Sequence, residues 1–466
     1  MSDLHPWRVR WSNFRGYEKS PLIELPAMTL LIGRNNVGKT TAYAPLLLLR
    51  QTLGARDPRT ALLFRGDLID FGSYTDVVTD HDSSRQIEMY LDFGPSGARH
   101  RPRGEGANAS SLDVTFAHSE EHGADLVRSA ILDDRDRVVV SRTLQSSGTY
   151  KVVSPLLPRN SDVGRPYREV SRLRSLLQSE MPEGFLFSGF GGVLLPSDWR
   201  EDEDRWEKVQ RWYRASSDLF EVYYYVNDHI KRTLHNISYI GPLRSSPRRS
   251  YLLSAEPPVD VGRDGQWASE VLYQSSLIET SDVLARTNIW LTKLGFGELS
   301  FAGWGEYFQV FVQKSGSSVK INLADCGVGL SQLLPLLVQG CVMKAGHTLI
   351  AQQPEIHLNP AQQDVITDFL VEICASGRRV IIETHSEHIL TRLRRRIAEA
   401  QTLSNDKVAL YFTESDGDRS SLRRIDIGEW GEVNAEQWPR GFFGEQLENS
   451  LQMALAQSQR KKRSSV

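Results

Sequence analysis

The residues Gly33 to Thr40 form a complete G-x-x-x-x-G-K-[ST] phosphate-binding loop, and this motif limits what the chain can fold into more than any other feature. The apolar run Met28 to Ile32 before it predicts a buried strand, and Thr41 to Leu49 after it predicts a helix. The glycines let backbone N–H groups turn toward phosphate oxygens, the lysine reaches the β- and γ-phosphates, and the threonine hydroxyl binds Mg²⁺. We therefore predict an α/β fold that binds ATP with Mg²⁺. The predicted nucleotide-binding residues here are Gly33, Arg34, Asn35, Asn36, Gly38, Lys39, Thr40 and Thr41, and Thr40 is also a predicted metal ligand.

Composition places this loop in a globular protein without a disulfide framework. The 466 residues, 40% of them hydrophobic and 24% charged, are enough for one large domain or two. The net charge of −3 gives no overall basic excess that would indicate nucleic-acid binding. Cys326, Cys341 and Cys374 lie far apart, which excludes a cysteine-rich zinc module. The first residues do not resemble a signal peptide, and no apolar run approaches the 18 or so residues of a membrane span, so we expect a cytoplasmic protein with no membrane partner.

Between the two ends of the chain the pattern is uneven. Residues 7–14 and 21–25 predict short strands, and the alternation in residues 86–93 predicts a strand with one buried face. Residues from about 94 to 163 are rich in turn formers and predict sheet and loop without a strong core. Residues 201–232 predict a helix whose aromatic side chains belong to the core rather than to a base-stacking surface.

A second strand that would end in catalytic residues is predicted at residues 349–352. An apolar strand that runs into acidic or amide residues and then Pro has the shape of a Walker B strand. Its terminal acid orients Mg²⁺, and the next residue polarises the attacking water. Here these two positions are Gln352 and Gln353. We take Gln352 as a candidate metal ligand and Gln352, Gln353 and Glu355 as candidate catalytic residues.

Two further motifs complete the set. Small residues open an apolar helix after Leu323, which predicts a second anion-binding helix N-terminus. The strand 379–382 runs into His385, which would place a histidine at the carboxyl end of a strand, where α/β sheets bind ligands. His385 is a fourth candidate catalytic residue.

Together these motifs follow the order of an ABC-type ATPase, and the chain resembles the SMC/RecF/OLD type of that class. More narrowly, it is similar to stand-alone prokaryotic AAA ATPases with a C-terminal Trp-Pro-x-Gly-Phe-Phe segment, relatives of the AriA and PtuA ATPases of the PARIS and Septu antiphage systems. The matching segments are 13–17, 239–244, 325–332, 353–358, 383–388 and 438–443.

The resemblance implies an ABC-type P-loop head of two lobes with an inserted mixed α/β region. Lobe I would be residues 1–93, the insertion 94–320, lobe II 321–445, and a basic tail 446–466. It also implies a homodimer or higher oligomer in which ATP lies between the phosphate loop of one subunit and Asp325, Gly327, Gly329 and Ser331 of the other.

Gln352 departs from the family pattern, which has an acid at this position. An amide preserves the shape of Glu and removes its charge, so ATP binding is expected to persist while hydrolysis is impaired. Three explanations stay open: a deliberate substitution, natural loss of hydrolysis, or transfer of the acid's role to Glu355 or Glu383.

Other features have structural explanations. His357 and His385 lack the H-E-x-x-H spacing of a zinc site. Asp416-Gly417-Asp418 lies between two alternating runs and predicts a hairpin turn rather than a nuclease centre. The arginines of residues 392–396 and the basic tail predict solvated surface, with phosphate contacts to nucleic acid as the alternative.

The sequence therefore predicts an ATP-dependent dimerising switch that controls a separate effector, a nuclease or toxin, in antiphage defence. The leading alternative is an SMC-like DNA-repair ATPase, although no sustained heptads for a long coiled coil are present. A scaffold that binds ATP without hydrolysing it is the second alternative.

Overall fold

The computed structural model describes residues 4–94, 109–157, 179–180, 184–187, 207, 210, 217–399, 402–434 and 436–439. The predicted basic tail and residues 441–443 of the C-terminal segment lie outside these ranges. Among the described residues, no helix is both long and apolar enough to cross a membrane.

Eight helices and nineteen strands are described within these ranges. The helices are α1 (Ala44–Leu53), α2 (Tyr74–Val77), α3 (Ser217–His235), α4 (Ala268–Ser276), α5 (Val283–Lys293), α6 (Val328–Val342), α7 (Pro360–Ala375) and α8 (Glu387–Ala398). The strands of the first half are β1 (Trp7–Phe14), β2 (Tyr17–Lys19), β3 (Ile23–Leu25), β4 (Met28–Gly33), β5 (Ile87–Asp92), β6 (Ala109–Ser119), β7 (Gly123–Asp133), β8 (Val138–Leu144), β9 (Tyr150–Val153) and β10 (Ser179–Glu180). The remaining strands are β11 (Ile237–Ile240), β12 (Tyr251–Leu252), β13 (Glu298–Trp304), β14 (Tyr307–Gln313), β15 (Lys320–Asn322), β16 (Thr348–Gln352), β17 (Arg379–Glu383), β18 (Val408–Asp416) and β19 (Arg419–Ile425).

A six-stranded sheet in the order β11-β16-β17-β4-β18-β19 forms the centre of the molecule. Its first five strands are parallel, and only β19 runs antiparallel to its neighbour. All six residues of β4 are buried, as expected for a parallel strand covered on both faces. Leu31 packs into one hydrophobic core, and Leu30 and Ile32 pack into the other. The carboxyl ends of the parallel strands therefore share one edge, where the phosphate loop and the ends of β16 and β17 meet.

The first core contains a nine-stranded sheet in the order β10-β9-β8-β7-β6-β5-β1-β2, with β3 paired to β1. Every pairing in it is antiparallel. The predicted buried face of residues 86–93 is confirmed, because Ile87, Met89, Leu91 and Phe93 are all buried. The prediction that residues 94–163 lack a strong core is wrong for the part described there. Strands β6 to β9 extend the sheet from β5, and their inward side chains join the same core.

Two of the predicted helices are present, but they differ in detail from what the sequence predicts. The helix predicted from Thr41 begins instead at Ala44, after a 3-10 turn at Thr40–Ala42. Pro45 explains the delay, because proline has no N–H to donate and is tolerated only in a helix's first turn. In α3, the core assignment is confirmed for the buried Tyr223 and wrong for Tyr224, which is 76% exposed. Trp212 of the same predicted helix lies outside the described residues.

The second core is built on the other face of the parallel sheet by helices α4 to α8 and by a small antiparallel sheet of β12, β14, β13 and β15. Helix α6 passes through the middle of this core, and most of its residues are buried. The α/β class that the sequence predicts is therefore confirmed. The division into lobes, insertion and tail stays a prediction.

Candidate nucleotide-binding site

The phosphate loop begins where β4 ends and lies at the carboxyl edge of the parallel sheet. Gly33 and Gly38 have backbone φ angles of 149° and 95°, which side-chain-bearing residues rarely adopt. A Cβ atom on Gly33 would lie 2.4 Å from the Thr413 carbonyl oxygen, and one on Gly38 would lie 2.6 Å from Ser420 Oγ. These two glycines let the loop pass directly beneath the β18–β19 hairpin.

Lys39 is buried inside the loop that it belongs to. Its Nζ donates hydrogen bonds to the carbonyl oxygens of Gly33 and Arg34. Burial lowers the pKa of Lys39, while the carboxylates of Glu383 and Glu355 act in the opposite direction. The ammonium group is thus held by main-chain acceptors of the loop, at the position from which it can serve a phosphate.

Thr40 lies within a small polar cluster that joins the loop to two neighbouring strands. Its Oγ1 donates to Glu383 Oε2 at 2.8 Å and accepts from Gln352 Nε2 at 3.0 Å. Gln352 Nε2 also lies 3.0 Å from the same Glu383 oxygen, and the Tyr43 hydroxyl donates to it at 3.0 Å. Gln352 and Glu383 are paired residues at the ends of β16 and β17, which explains why their side chains meet.

The orientation of the Gln352 amide follows from its partners. Its Oε1 accepts a hydrogen bond from the Tyr239 hydroxyl at 3.0 Å, and its Nε2 faces Thr40 and Glu383. Of the two polar atoms of the amide, only the nitrogen can donate to the Glu383 oxygen that Thr40 and Tyr43 also bond, so the nitrogen is the atom that faces it. Burial raises the pKa of Tyr239 to about 12, so its hydroxyl stays protonated as a donor. The nitrogen that Gln352 turns toward Thr40 is not a metal ligand.

Arg244 connects this strand end to helix α6. Its Nη1 donates to the Gln332 carbonyl oxygen at 2.9 Å, and its Nη2 donates to the Gln352 carbonyl oxygen at 3.0 Å. The Gln332 side chain returns two bonds, one with the Arg244 N–H and one with its carbonyl oxygen. Arg244 is buried, and burial lowers its pKa to about 10. The Walker B strand and the small-residue helix are thus fixed to each other through one guanidinium group.

Gln353, Glu355 and His385 lie beside this cluster. Gln353 has a positive φ of 43°, an uncommon conformation for a residue with a side chain, and its N–H donates to the Glu383 carbonyl oxygen at 2.7 Å. Glu355 Oε1 accepts from the His385 N–H at 2.9 Å, and burial raises the pKa of Glu355. Burial also lowers the pKa of His385, followed by the positive charge of Lys39. Glu355 is therefore bonded to the backbone of the histidine segment.

The cleft beside these groups has a volume of about 640 Å³, which is typical of small-molecule sites. Its walls include much of the phosphate loop, both strand ends and the tip of the β18–β19 hairpin. The lining residues are Arg15, Gly16, Asn35, Asn36, Gly38, Lys39, Thr40, Thr41, Pro242, Gln352, Gln353, Glu383, His385, Ser415, Gly417, Asp418 and Ser420. Gly33 and Arg34, which were also predicted to contact nucleotide, are not among them.

The small-residue helix lies apart from this cleft within the chain. Asp325 forms a salt bridge with Arg249 at 2.6 Å, and Ser331 Oγ donates to the Val328 carbonyl oxygen at 2.8 Å. Gly327 is the N-cap of α6, and a Cβ there would meet no atom within 4 Å. A Cβ on Gly329 would lie 3.2 Å from the His357 carbonyl oxygen. The four predicted residues are thus neighbours of one another but do not join the phosphate loop of their own chain.

The predicted hairpin turn at residues 416–418 is confirmed, since Asp416 pairs with Arg419 across it. The contribution of this turn and of Arg15 to the cleft was not predicted from the sequence. Nor were the roles of Tyr43 and Tyr239, for which the only signal was an aromatic residue close to each motif.

The arginines of helix α8 are all engaged within the chain. Arg392 and Arg396 both bond Asp368, at 2.7 and 2.6 Å. Arg395 pairs with Glu399, and Arg394 donates to a backbone carbonyl. These contacts favour the solvated-surface interpretation over phosphate binding.

The residues around Thr40 fit a Mg²⁺ ion that is shared with nucleotide phosphates. Within the described ranges, no group of three or more His, Cys, Asp or Glu side chains could hold a metal alone. Mg²⁺ characteristically takes one or two protein oxygens and completes its shell with phosphates and water. The Thr40 hydroxyl and the Glu383 carboxylate are oxygen donors 2.8 Å apart.

Comparison with known proteins gives matches of limited extent. A family model described as a protein of unknown function (DUF3696) matches residues 403–452. No curated protein matches the sequence. Among solved structures, the chain is similar to an SMC head bound to the C-terminal winged-helix domain of ScpA, with a TM-score of 0.40 and 11% identity over 91% of this chain and 98% of that one. It is also similar to the SMC head domain from Thermotoga maritima (TM-score 0.37, 12% identity, 91% and 100% coverage). A third similar structure is an SMC head domain with an extended coiled coil bound to the C-terminal domain of ScpA, derived from Pyrococcus furiosus (TM-score 0.39, 10% identity, 91% and 96% coverage).

Proposed function

We propose that this chain is an ABC-type ATPase head that binds ATP with Mg²⁺ in the cleft above the parallel sheet. The observation that supports this most directly is the convergence of Lys39, Thr40 and a buried carboxylate at one sheet edge. Backbone N–H groups of the loop and the lysine would hold the phosphates, and Thr40 would hold the metal. When bound, Mg²⁺ neutralises phosphate charge that the loop alone would leave unbalanced.

The proposed head works as a dimer. Asp325, Gly327, Gly329 and Ser331 lie outside the cleft of their own chain, and Val328 beside them is 58% exposed. A second copy that brings this helix N-terminus to the open side of the cleft would add N–H groups to the bound phosphates. ATP would then join two heads, and its loss would release them.

Hydrolysis in this proposal is slow. The two strand-end positions next to the loop, Gln352 and Gln353, are both amides and cannot accept a proton from water. Glu355 faces the backbone of His385 and is not among the residues that line the cleft. The nucleotide state would therefore be long-lived, which suits a switch better than a motor.

The process that this switch serves is proposed from the sequence resemblance. Antiphage defence with a separate effector protein is our first candidate. An SMC-like role in DNA repair is the second, but the arginines of helix α8 are paired inside the chain and offer no free basic stripe. A scaffold that binds ATP only structurally is the third, and Gln352 favours it over an active enzyme.

Equilibrium binding of a fluorescent ATP analogue tests the central claim. Lys39→Ala removes a charged hydrogen bond to phosphate, which contributes about 1.5–3 kcal/mol, so affinity should fall by about 10- to 150-fold. Lys344→Ala, which removes an exposed lysine outside the cleft, is the matched control and should bind as the unmodified protein does. Equal affinity in both variants would rule out the phosphate-loop assignment.

Single-turnover hydrolysis tests the role of residue 352. Gln352→Glu restores the acid and should raise the rate at least about tenfold, a barrier change of about 1.4 kcal/mol. An unchanged rate would show that the missing acid does not limit turnover.

A further inference from the structure

Glu383 stands out because one of its carboxylate oxygens accepts three hydrogen bonds. The donors are the hydroxyls of Thr40 and Tyr43 and the amide of Gln352, at 2.8, 3.0 and 3.0 Å. All three are uncharged. The side chain is only 8% exposed, and within the described part of the chain no Lys, Arg or His nitrogen lies within 4.0 Å of its oxygens. A buried carboxylate that interacts with the Lys39 charge at longer range but forms no salt bridge is costly, so the site favours a cation.

Gln352, at the position where the family has its acid, cannot meet this need. The amide nitrogen faces Thr40 and Glu383, and it has no lone pair available for a metal. Rotating the amide would give up the bond from the Tyr239 hydroxyl. It would also place two acceptor oxygens, those of Gln352 and Glu383, about 3 Å apart with no proton between them.

We propose that Glu383 at the end of β17, rather than residue 352 at the end of β16, supplies the negative charge of the Mg²⁺ site beside Thr40. This inference rests on the proposed ATP binding. Parallel strands end at the same edge, and Gln352 and Glu383 are paired in register, so a carboxylate can reach the phosphate loop from either strand. Tyr43 and Gln352 then fix the carboxylate in place, which makes residue 352 a positioning group for its neighbour.

The arrangement separates metal binding from catalysis. The charge that Mg²⁺ requires is present through Glu383, whereas no carboxylate occupies the strand-end positions 352 and 353. Metal-dependent ATP binding can therefore persist in a chain whose Walker B strand ends in two amides. Glu383→Gln should weaken the binding of Mg²⁺, and Lys39→Ala should weaken the binding of the phosphates with or without Mg²⁺.

The affinity for a fluorescent ATP analogue is measured in EDTA and across a Mg²⁺ titration. In the unmodified protein, Mg²⁺ should tighten binding. Glu383→Gln should keep the affinity in EDTA within about twofold and reduce the Mg²⁺ enhancement by about tenfold or more, the usual effect of removing a partner of a metal site. Glu383→Asp keeps the charge but shortens the side chain, and it should retain part of the enhancement. Paramagnetic resonance of Mn²⁺ in the ATP complex provides a second readout, in which Glu383→Gln should leave more Mn²⁺ free.

Two control variants make the result specific. Glu387→Gln removes an acid four residues away, at the start of α8 and outside the cleft, and should keep the full enhancement. Asp418 is the other carboxylate that lines the cleft, so loss of the enhancement in Asp418→Asn but not in Glu383→Gln would overturn the proposal. Full Mg²⁺ enhancement in Glu383→Gln would also overturn it. Absence of ATP binding by the unmodified protein, in EDTA and in Mg²⁺ alike, would instead refute the proposed function and this inference with it.

Discussion

Replacing Gln352 with Glu is the most informative single change, because the structure predicts its effect on stability as well as on turnover. In the unmodified chain the amide nitrogen of residue 352 lies 3.0 Å from Glu383 Oε2 and donates to it. Gln352→Glu would put a second carboxylate oxygen at that point. Both side chains are largely buried, so water would screen the two charges only weakly.

The stability lost in Gln352→Glu can be estimated from two energies, the repulsion between the carboxylates and the cost of binding a proton. At 3.0 Å and an effective dielectric constant of about 20, two unit charges repel with about 5.5 kcal/mol. Binding one proton avoids the repulsion, and for a carboxyl group with an ordinary pKa of about 4.3 this costs about 3.7 kcal/mol at pH 7 and about 1 kcal/mol at pH 5. Proton binding costs less free energy than the repulsion at both pH values, so the variant should bind a proton. Its loss of stability should then be about 2.7 kcal/mol larger at pH 7 than at pH 5.

The sign follows from proton binding. The folded variant holds a proton that the unfolded chain releases above about pH 4, so its stability falls as the pH rises. Urea unfolding in EDTA at the two pH values, on Gln352→Glu and on the unmodified chain, measures the difference. Gln352→Ala is the control, because it removes the amide without adding a charge and its deficit should not depend on pH. Saturating Mg²⁺ and ATP should remove most of the Gln352→Glu deficit at pH 7.

A deficit in Gln352→Glu that is the same at pH 5 and pH 7 would show that the two carboxylates do not meet. The register of β16 and β17 would then fail to bring these side chains together as described, and the assignment of the metal charge to Glu383 would lose its geometric basis.

Three further outcomes are predicted. ATP with Mg²⁺ should promote dimerisation, as measured by light scattering. Ser331→Arg should prevent this dimerisation, and Ser318→Arg, at an exposed position, should not. A mass that does not depend on nucleotide in all three proteins would contradict the dimer model. Arg244→Met should lower the free energy of unfolding by about 3 kcal/mol, because the carbonyl oxygens of Gln332 and Gln352 lose their hydrogen bonds from the guanidinium group. Arg244→Lys should recover part of this loss of stability. A loss below about 1 kcal/mol would show that the Arg244 hydrogen bonds contribute little. The purified protein should not cut DNA or RNA in Mg²⁺ or Mn²⁺, and cleavage abolished by Asp416→Asn with Asp418→Asn would refute the assignment of these residues to a simple hairpin turn.

Local patterns were enough to predict the parts of the molecule that depend on near neighbours. The phosphate loop, the buried strand before it, the alternating strand ending near Phe93 and the hairpin around Gly417 each follow from a few consecutive residues. The late start of α1 was also readable, because Pro45 is visible in the sequence.

The partners of Thr40 could not be ranked in this way. Glu383 lies 343 positions away, and from the sequence alone it was one of two candidate substitutes for a missing acid. The choice depends on strand register and on which nitrogen of Gln352 faces inward, and both are set by packing. The core formed by β6 to β9 was missed for a related reason, since its side chains become buried only when the strands join β5.

The position of β4 has a consequence for synthesis of the chain. Its partners on either side are β17 and β18, so an apolar strand made among the first 33 residues finds no neighbour in its sheet until residue 379 has been made. At about 5–20 residues per second, a ribosome needs roughly 20 to 70 s to cover that interval. During this time Leu30, Leu31 and Ile32 are available for pairing with other nascent chains. We expect β4 to need chaperone protection while residues 34–379 are made, and the nucleotide cleft to form only after Ser420 has been made.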